Sequence, residues 1–205
     1  ADFKSSYNLI CDNVLLGRID LQVMGEHNIL NSLLAVATGL ELNVPFSDIR
    51  KGLAEFNGVF RRFEWKGERD GVTIFDDYAH HPTEIETTLR GVRQNTDRRI
   101  IVVFQPHLYS RTRDFYREFG SSFHQSDILL VTPIYPAREQ PLPGISGQMI
   151  ATAATQSGHK QASYITENKD IIPVLRDTAR PGDLIITMGA GNIYHFGEKF
   201  LKENP

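Results

Sequence analysis

The sequence predicts an α/β protein whose mostly parallel β-sheet is covered by helices on both faces. Three observations predict this fold. Beyond residue 70, short apolar runs alternate with longer amphipathic segments of helical period. The runs are apolar at consecutive positions, which is typical of strands buried on both faces. Each run is followed by a helical segment, which is the order expected of a parallel sheet.

The first 60 residues follow a different order. Residues 1–24 alternate in strand fashion around the turn-like Asp12-Asn13 pair and Gly17. A helix is predicted next, with apolar residues at helical spacing: Ile29, Leu30, Leu33, Leu34, Ala37 and Leu40. A second helix is predicted after Pro45, with Ser47 as its candidate cap and a face formed by Ile49, Leu53 and Phe56.

A domain boundary is expected near residue 60, where "NGVFRRFEWKG" interrupts the helical pattern. Beyond it, strands are predicted over 72–77, 99–105, 127–133, 162–166 and 183–189. Helices are predicted over 82–95, 112–124, 146–156, 168–179 and 191–203. The sequence therefore predicts one α/β domain preceded by two strands and two helices.

Composition excludes several classes of partner. The net charge of −3 over 205 residues gives no reason to expect nucleic acid or an anionic membrane as partner. The single cysteine, Cys11, allows no internal disulfide and suits a reducing cytoplasm. No apolar run approaches the roughly 20 residues of a membrane span. The opening "ADFKSSYNLI" lacks an initiator Met and a signal peptide, so a fragment of a longer protein is expected.

Polar residues concentrate where predicted strands end. "DDYAHH", "QPHLYSRTR", "YPARE" and "GAGN" each follow a strand, whereas "NTDR", "HQS" and "TARPG", which precede strands, have the composition of plain turns. Ligands of such sheets bind beyond the carboxyl ends of the strands. This bias favours a binding site at those ends.

Asp76, Asp77, His80 and His81 crowd the first of these stretches. Neighbouring strand residues point to opposite faces, so only one aspartate is expected to face the site. A turn or helix-capping role for one of them is the equal alternative. Adjacent histidines are poorly placed to share one metal ion, so no zinc site is expected.

His107, Arg111 and Arg113 lie at a predicted helix start, where the helix dipole disfavours cations. An anionic ligand is therefore favoured over a solvated basic surface, since guanidinium groups suit carboxylate and phosphate. "GAGN" (189–192) allows two interpretations, a phosphate-binding turn or a tight connection between strand and helix.

Asn28 and Asn31 share one face at the start of the first helix, where capping explains one of them and a ligand is expected for the other. No P-loop of the form GxxxxGK[ST] occurs in the 205 residues.

Five motifs together resemble the Mur ligases: "GEHNILNSLLA", "FNGVFRRFE", "DDYAHHPTEI", "FQPHLYSRTRDF" and "TMGAGNI". The resemblance covers essentially the whole chain. It implies that residues 1–60 form the end of a central ATP-binding domain and that residues 61–205 form a C-terminal Rossmann-like domain. It also implies that the P-loop and the ligands of Mg²⁺ lie upstream, so that the isolated chain is inactive.

The resemblance is strongest to the members that join L-alanine to UDP-N-acetylmuramate in peptidoglycan synthesis, at the cost of ATP and through an acyl phosphate. It implies that Asn28 and Asn31 contact the adenine and ribose of ATP. Arg62 is then expected to reach the ATP phosphates, and Asp77 to hold the nucleotide from the C-terminal side. His80 completes the set of expected catalytic residues.

His80, His107 and Arg111 are expected, by the same resemblance, to face the acyl phosphate and the incoming amino acid. Many family members carry an arginine where this sequence has Leu108. Binding of the anion should therefore depend more on Arg111, assisted by Arg113.

Two alternatives remain open from the sequence. The first is a sister ligase that attaches a preformed peptide to the same UDP-sugar. The second is an α/β binding or regulatory module without catalysis, which the missing P-loop permits.

Overall fold

The computed structural model describes residues 3–202 and shows the predicted α/β architecture. The chain divides into two compact units, Ala1–Val59 and Phe60–Pro205. Within residues 3–202 no helix is both long and apolar enough to cross a membrane.

The first unit begins with a β-hairpin. Strand β1 (Ser5–Cys11) pairs antiparallel with β2 (Val14–Leu21). Asp12 and Asn13 form the two-residue turn with φ values of 48° and 62°. Two consecutive left-handed residues are what a tight hairpin turn of this length requires, and Asp and Asn tolerate that conformation well.

Two helices, α1 (Glu26–Glu41) and α2 (Phe46–Glu55), pack with the hairpin. The buried core of this unit comprises Leu9, Ile19, Leu21 and Val36. The predicted apolar face of α1 is wrong in part, because Leu30 and Leu34 are 58% and 69% exposed. Helix α1 has apolar residues on two sides, and only one side faces this core.

Two details predicted for α2 are also wrong. Ser47 is not its cap, because the helix already begins at Phe46, directly after Pro45. The fixed φ of proline, −56° here, sets the direction of entry in place of a capping side chain. Phe56 follows the last helical residue and is exposed, so it does not extend the packed face.

The second unit is built on a six-stranded sheet of order β3-β4-β8-β5-β6-β7. The strands are β3 (Glu64–Arg69), β4 (Val72–Asp77), β5 (Ile100–Phe104), β6 (Ile128–Val131), β7 (Ala162–Tyr164) and β8 (Leu184–Met188). All neighbours pair in parallel except β3, which is antiparallel to β4. Strand β3 was missed from the sequence, because an edge strand reading "EWKGER" has no apolar run.

Helices cover both faces of this sheet. They are α3 (Pro82–Asn95), α4 (Tyr109–Ser122), α5 (Gln148–Gln156), α6 (Ile171–Thr178) and α7 (Tyr194–Lys202), with a 3-10 turn at Asn168–Asp170. Ile101 and Val103 pack on one face with residues of α6 and α7. On the other face, Phe104 packs against Phe119 and Phe123 at a centroid distance of 5.3 Å and 5.1 Å.

The amino-terminal ends of the parallel strands, here called the amino edge, carry several arginines, three of which bind neighbouring strand ends. Arg99 donates two hydrogen bonds to Asp183, and Arg98 donates to the Asp183 carbonyl. Arg93 donates to Asp127 at 2.6 Å. The predicted turns are present in these connections, but they are not plain. Their charged residues tie neighbouring strand ends together.

Candidate functional site

Four loops meet where the parallel strands end, here called the carboxyl edge. Strands β4, β8, β5 and β6 are neighbours in the sheet, so the residues that follow them lie side by side. The loops contain Tyr78–His81, Gly189–Ile193, Gln105–Leu108 and Thr132–Gly147. The polar residues predicted to form a site after β4 and β5 are thus brought to one edge.

Arg61 forms a buried network at this edge. Its Nε donates to Asp76 Oδ2 at 2.9 Å, and its two terminal nitrogens donate to the carbonyls of Gly189 and Gly191 at 2.5 Å and 2.9 Å. Thr187 Oγ1 also donates to Asp76, at 2.6 Å. Burial raises the pKa of Asp76, against the lowering effect of its hydrogen bonds to Thr187 and Arg61. These five residues, called the Arg61 network below, bind one another and hold the end of β4 to the loop after β8.

The "GAGN" turn is explained by close packing. Gly189 has a φ of 141°, and a Cβ there would lie 2.5 Å from the carbonyl oxygen of Gln105. A Cβ on Gly191 would lie 2.3 Å from Gln105 Oε1 and 2.7 Å from the Tyr135 ring. Because the Gly189 N–H already donates to the Asp77 carbonyl at 3.0 Å and both glycines are needed for close packing, the geometry favours a tight connection over a phosphate-binding turn.

Arg62 contrasts with its neighbour. Its side chain is 55% exposed, its nearest carboxylate oxygen, on Glu84, is 4.0 Å away, and its guanidinium lies 5.9 Å from the centroid of the Tyr78 ring. Sequence reasoning selected Arg62 and missed Arg61. The left-handed φ of Arg61, 59°, is a feature that the sequence does not reveal.

Both aspartates at the end of β4 are buried, and they point to different partners. Asp77 is 4% exposed, and its two oxygens accept hydrogen bonds from the backbone N–H groups of Phe63 (2.8 Å) and Ala79 (2.7 Å). Burial raises the pKa of Asp77 to about 6, although these two backbone donors and Arg62 lower it. The carboxylate therefore anchors the segments on either side of it.

His80 is held by its own loop. Its Nδ1 lies 2.9 Å from the Tyr78 carbonyl and 3.4 Å from Glu84 Oε2. The Glu84 carboxylate accepts the backbone N–H groups of His80 and His81, which satisfies donors at the start of α3. The ring of His80 lies 6.1 Å from that of His107, so the structure brings together two predicted site residues from different strands.

His107 and Arg111 have unsatisfied hydrogen-bonding groups. The ring of His107 is stacked on Tyr135 at 5.7 Å and 13°, with its Nδ1 buried. Burial lowers the pKa of His107, and the nearby Arg111 and His80 lower it further. Across residues 3–202, three buried side-chain atoms lack a hydrogen-bond partner: His107 Nδ1, Arg111 Nη1 and Gln105 Oε1. All three belong to the strand end after β5 or the first turn of the helix that follows it.

Helix α4 begins at Tyr109, three residues earlier than predicted. Leu108 precedes it with a φ of 73°, a conformation that is strained for leucine. Arg111 consequently lies in the first turn. Arg113 is exposed and donates to Asp114 at 2.7 Å, so it does not join the other cations of the loop.

Asn28 and Asn31 belong to the first unit. The Asn28 side chain donates to the Met24 carbonyl at 2.7 Å, which secures the start of α1. Asn31, one turn further on, is exposed. Asn28 thus stabilises the helix start, as expected of one of the two asparagines, and a ligand contact of the other stays a prediction.

Metal-ligating side chains do not cluster in the part of the chain that the structure describes. No three His, Cys, Asp or Glu side chains within residues 3–202 are placed to hold one metal ion.

Comparison with known proteins gives the family. Residues 61–191 match the family model described as "Mur ligase, glutamate ligase domain". The chain belongs to the Mur ligase family, and the resemblance noted in the sequence is confirmed. The matched residues contain the carboxyl edge described above, apart from Asn192 and Ile193.

One relative is the UDP-N-acetylmuramate–L-alanine ligase of Desulforapulum autotrophicum. It is 46% identical over 200 residues, which are 97% of this chain and 44% of the relative. The chain thus spans less than half the length of this curated relative.

Two solved structures share the fold. The UDP-N-acetylmuramate–alanine ligase of Thermotoga maritima has a TM-score of 0.82 at 24% identity, covering 98% of this chain and 43% of the other. A murein peptide ligase from Psychrobacter arcticus has a TM-score of 0.63 at 26% identity, covering 90% and 38%. The fold class predicted from the sequence is confirmed.

Proposed function

We propose that the chain serves in an ATP-dependent ligase that joins L-alanine to UDP-N-acetylmuramate. Residues 1–60 would belong to its central ATP-binding domain, and residues 61–205 would form its C-terminal Rossmann-like domain. The 46% identity to a ligase of that name supports this proposal. The reaction would contribute to peptidoglycan synthesis, and its use of ATP and a UDP-sugar would suit the cytoplasm.

The proposed chemistry has two steps. The terminal phosphoryl group of ATP passes to the carboxylate of UDP-N-acetylmuramate, which gives an acyl phosphate and ADP. The amine of L-alanine then attacks the acyl carbon, the C–O bond to phosphate breaks, and the amine loses a proton. Negative charge develops on phosphoryl and acyl oxygens, so cationic donors stabilise both steps. Mg²⁺ would add to this neutralisation, with ligands outside the residues described here.

The observation that carries the proposal is the unpaired guanidinium nitrogen of Arg111 beside the unpaired His107 Nδ1. A buried donor without a partner is costly, and a bound anion removes that cost. Arg111 would therefore bind the carboxylate of L-alanine. His107 and His80 would face the amine and the acyl phosphate.

The remaining roles rest on the family resemblance. Asn28 and Asn31 would contact the adenine and ribose of ATP, and Arg62 would contact its phosphates. The exposure of Arg62 and Asn31 suits these roles. Asp77 would hold the nucleotide side of the site through Phe63 and Ala79, whose N–H groups it already binds.

The test is an assay of the gene product that contains this chain and its upstream sequence. Phosphate release from ATP is measured with UDP-N-acetylmuramate and, in separate reactions, L-alanine, other amino acids and a preformed tripeptide. Release that depends on L-alanine supports the proposal. The 205-residue chain alone, which lacks a GxxxxGK[ST] loop, should release no phosphate above background.

A peptide-adding ligase is the second candidate, favoured by the likeness to the murein peptide ligase. Release that depends on the tripeptide, and not on L-alanine, would establish it. No release with either substrate would leave the binding module as the better description.

A further inference from the structure

Helix α4, which carries Arg111, has no cap of its own. Its N-cap residue, Leu108, offers no side-chain acceptor, and its first turn contains no acidic residue. The first turns of helices expose N–H groups that need acceptors. Two cations, Arg111 and Arg113, add positive charge at the end where the dipole is already positive. The N–H groups of this helix start therefore depend on acceptors from outside it, either water or another part of the chain.

Glu139 supplies that acceptor from the loop after β6. One carboxylate oxygen accepts the backbone N–H of Ser110 at 2.9 Å, and the other accepts the Ser110 hydroxyl in a short hydrogen bond. The Ser110 hydroxyl lowers the pKa of Glu139 most, and the backbone N–H groups of Ser110 and Tyr109 lower it further. A carboxylate 29 residues away in sequence thus occupies the start of α4.

The same two loops are joined at a second place. Tyr135 donates its N–H to the Pro106 carbonyl at 2.8 Å, and its own carbonyl accepts the Leu108 N–H at 3.0 Å. The Tyr135 ring also stacks on His107. These contacts hold Leu108 in its strained conformation, which persists only where the surroundings enforce it.

We propose that Glu139 is a positioning residue for the amino-acid substrate. By capping α4 from another loop it would fix the directions of His107 and Arg111. By filling the helix start with an internal anion it would also leave Arg111 as the available partner for the substrate carboxylate, because a second anion at the helix start is repelled. This inference rests on the proposed function.

The kinetic test uses the complete ligase with the variant Glu139→Gln. The amide has the shape of the carboxylate, but it carries no charge and has one acceptor oxygen instead of two. We expect kcat/KM for L-alanine to fall about 10- to 100-fold, mainly through KM, since a misplacement of about 1 Å can cost about 10²-fold. KM for ATP should stay within about twofold. Glu86→Gln, which removes an exposed carboxylate of α3 paired with Arg90, is the matched control and should change neither constant.

A second variant separates positioning from folding. Ser110→Ala removes the hydroxyl and keeps the backbone N–H, so it should lower kcat/KM for L-alanine less than Glu139→Gln. The double variant should lose no more kcat/KM for L-alanine than Glu139→Gln alone, because both changes act on the same contact between Glu139 and Ser110. Losses that multiply, or an equal loss of L-alanine and ATP use together with a lower Tm, would overturn the proposal.

A measurement on the 205-residue chain is independent of activity. The charges that face His107 are Arg111 and His80, which lower its pKa, and Glu139, which raises it. Titration of the His107 ring by NMR should therefore give a lower pKa in Glu139→Gln than in the unsubstituted chain, and no change in Glu86→Gln. An unchanged His107 pKa would contradict the geometry.

The kinetic results separate the two proposals. If the unsubstituted ligase does not use L-alanine, the proposed function fails. If it does use L-alanine and Glu139→Gln has the same kinetic constants as Glu86→Gln, only the present inference fails.

Discussion

The two edges of the six-stranded sheet both carry arginines, but their arginines are bonded differently. At the amino edge, Arg93 and Arg99 donate to the carboxylates of Asp127 and Asp183, and Arg98 donates to backbone carbonyls. At the carboxyl edge, Arg111 retains a buried nitrogen without a partner, beside the equally unpaired His107 Nδ1.

The difference shows that a count of cations does not identify a site. Arginines whose donors are satisfied by the protein stabilise the fold, whereas a buried donor that the protein leaves unpaired is a destabilising feature. Such a feature is expected where a ligand supplies the missing partner. Bonding, and not charge alone, therefore marks the carboxyl edge as the candidate site.

Arg61 gives the test with the largest expected effect, because it lies at the carboxyl edge and yet its guanidinium is hydrogen-bonded to the protein. Arg61→Met should lower the unfolding free energy of the second unit by about 3–5 kcal/mol, since Asp76 would be left buried without its cation. Urea denaturation followed by the fluorescence of Trp65, the single tryptophan and a residue of β3, measures this loss. A loss below about 1 kcal/mol would contradict the claim that arginines bonded to the protein stabilise the fold.

Arg62 should behave in the opposite way. In the complete ligase, Arg62→Ala should lower kcat by about 10²–10³, the scale of losing one preorganised donor to the transition state. The stability of the variant should change by less than about 0.5 kcal/mol, because the side chain is exposed. A near-normal kcat, or a stability loss that explains a low one, would make Arg62 structural.

Asp183 tests the amino edge. Asp183→Ala removes the acceptor of two Arg99 hydrogen bonds and of the Arg180 N–H, so it should cost about 2–3 kcal/mol of stability. Use of L-alanine and ATP by the folded enzyme should be unchanged. Arg90→Ala, which breaks an exposed pair on α3, is the control and should cost under about 0.5 kcal/mol. A selective loss of L-alanine use in Asp183→Ala would show that the amino edge also serves the substrate.

Asp77 makes the stability of the carboxyl edge depend on pH. Its pKa is raised from 3.8 to about 6, so between these values only the folded protein holds the proton. The stability that the protonated Asp77 contributes is full below about pH 3 and is lost as the pH rises through about 6, by about 3 kcal/mol. Asp77→Asn cannot ionise, so the unfolding free energy of the unsubstituted chain should fall relative to this variant between pH 4 and pH 7. A pH-independent difference would show that burial does not perturb Asp77.

Much of the fold could be predicted because buried parallel strands are continuous apolar runs. The limits of β4 and of α3 follow directly from "VTIFDD" and from Pro82 at a helix start. Strand β3 could not be predicted, because an edge strand needs no apolar run. The start of α4 could not be predicted either, because its cap is Glu139, 29 residues further along the chain.

The candidate site was predictable in part for a similar reason. His80, His107 and Arg111 follow strands, and the sheet brings them to one edge. The division of roles between Arg61 and Arg62 was not predictable, because the residues are adjacent and chemically identical. The left-handed backbone at Arg61, which accompanies the burial of its guanidinium, is not visible in the sequence.

The most direct test of the site is whether Arg111 binds the carboxylate of the amino-acid substrate. The complete ligase and its Arg111→Ala variant are compared with two amino donors, L-alanine and alaninamide, which lacks the carboxylate. The four values of kcat/KM form a double-mutant cycle in which one change is in the protein and the other in the substrate.

We predict that Arg111→Ala costs about 2–5 kcal/mol with L-alanine, the scale of breaking a desolvated charged pair, while KM for ATP is nearly unchanged. Alaninamide should be a poor substrate of the unsubstituted enzyme, and Arg111→Ala should lower kcat/KM for alaninamide little further. If Arg111→Ala lowers kcat/KM equally for both donors, Arg111 does not bind the carboxylate, and the unpaired donor at the carboxyl edge serves another group.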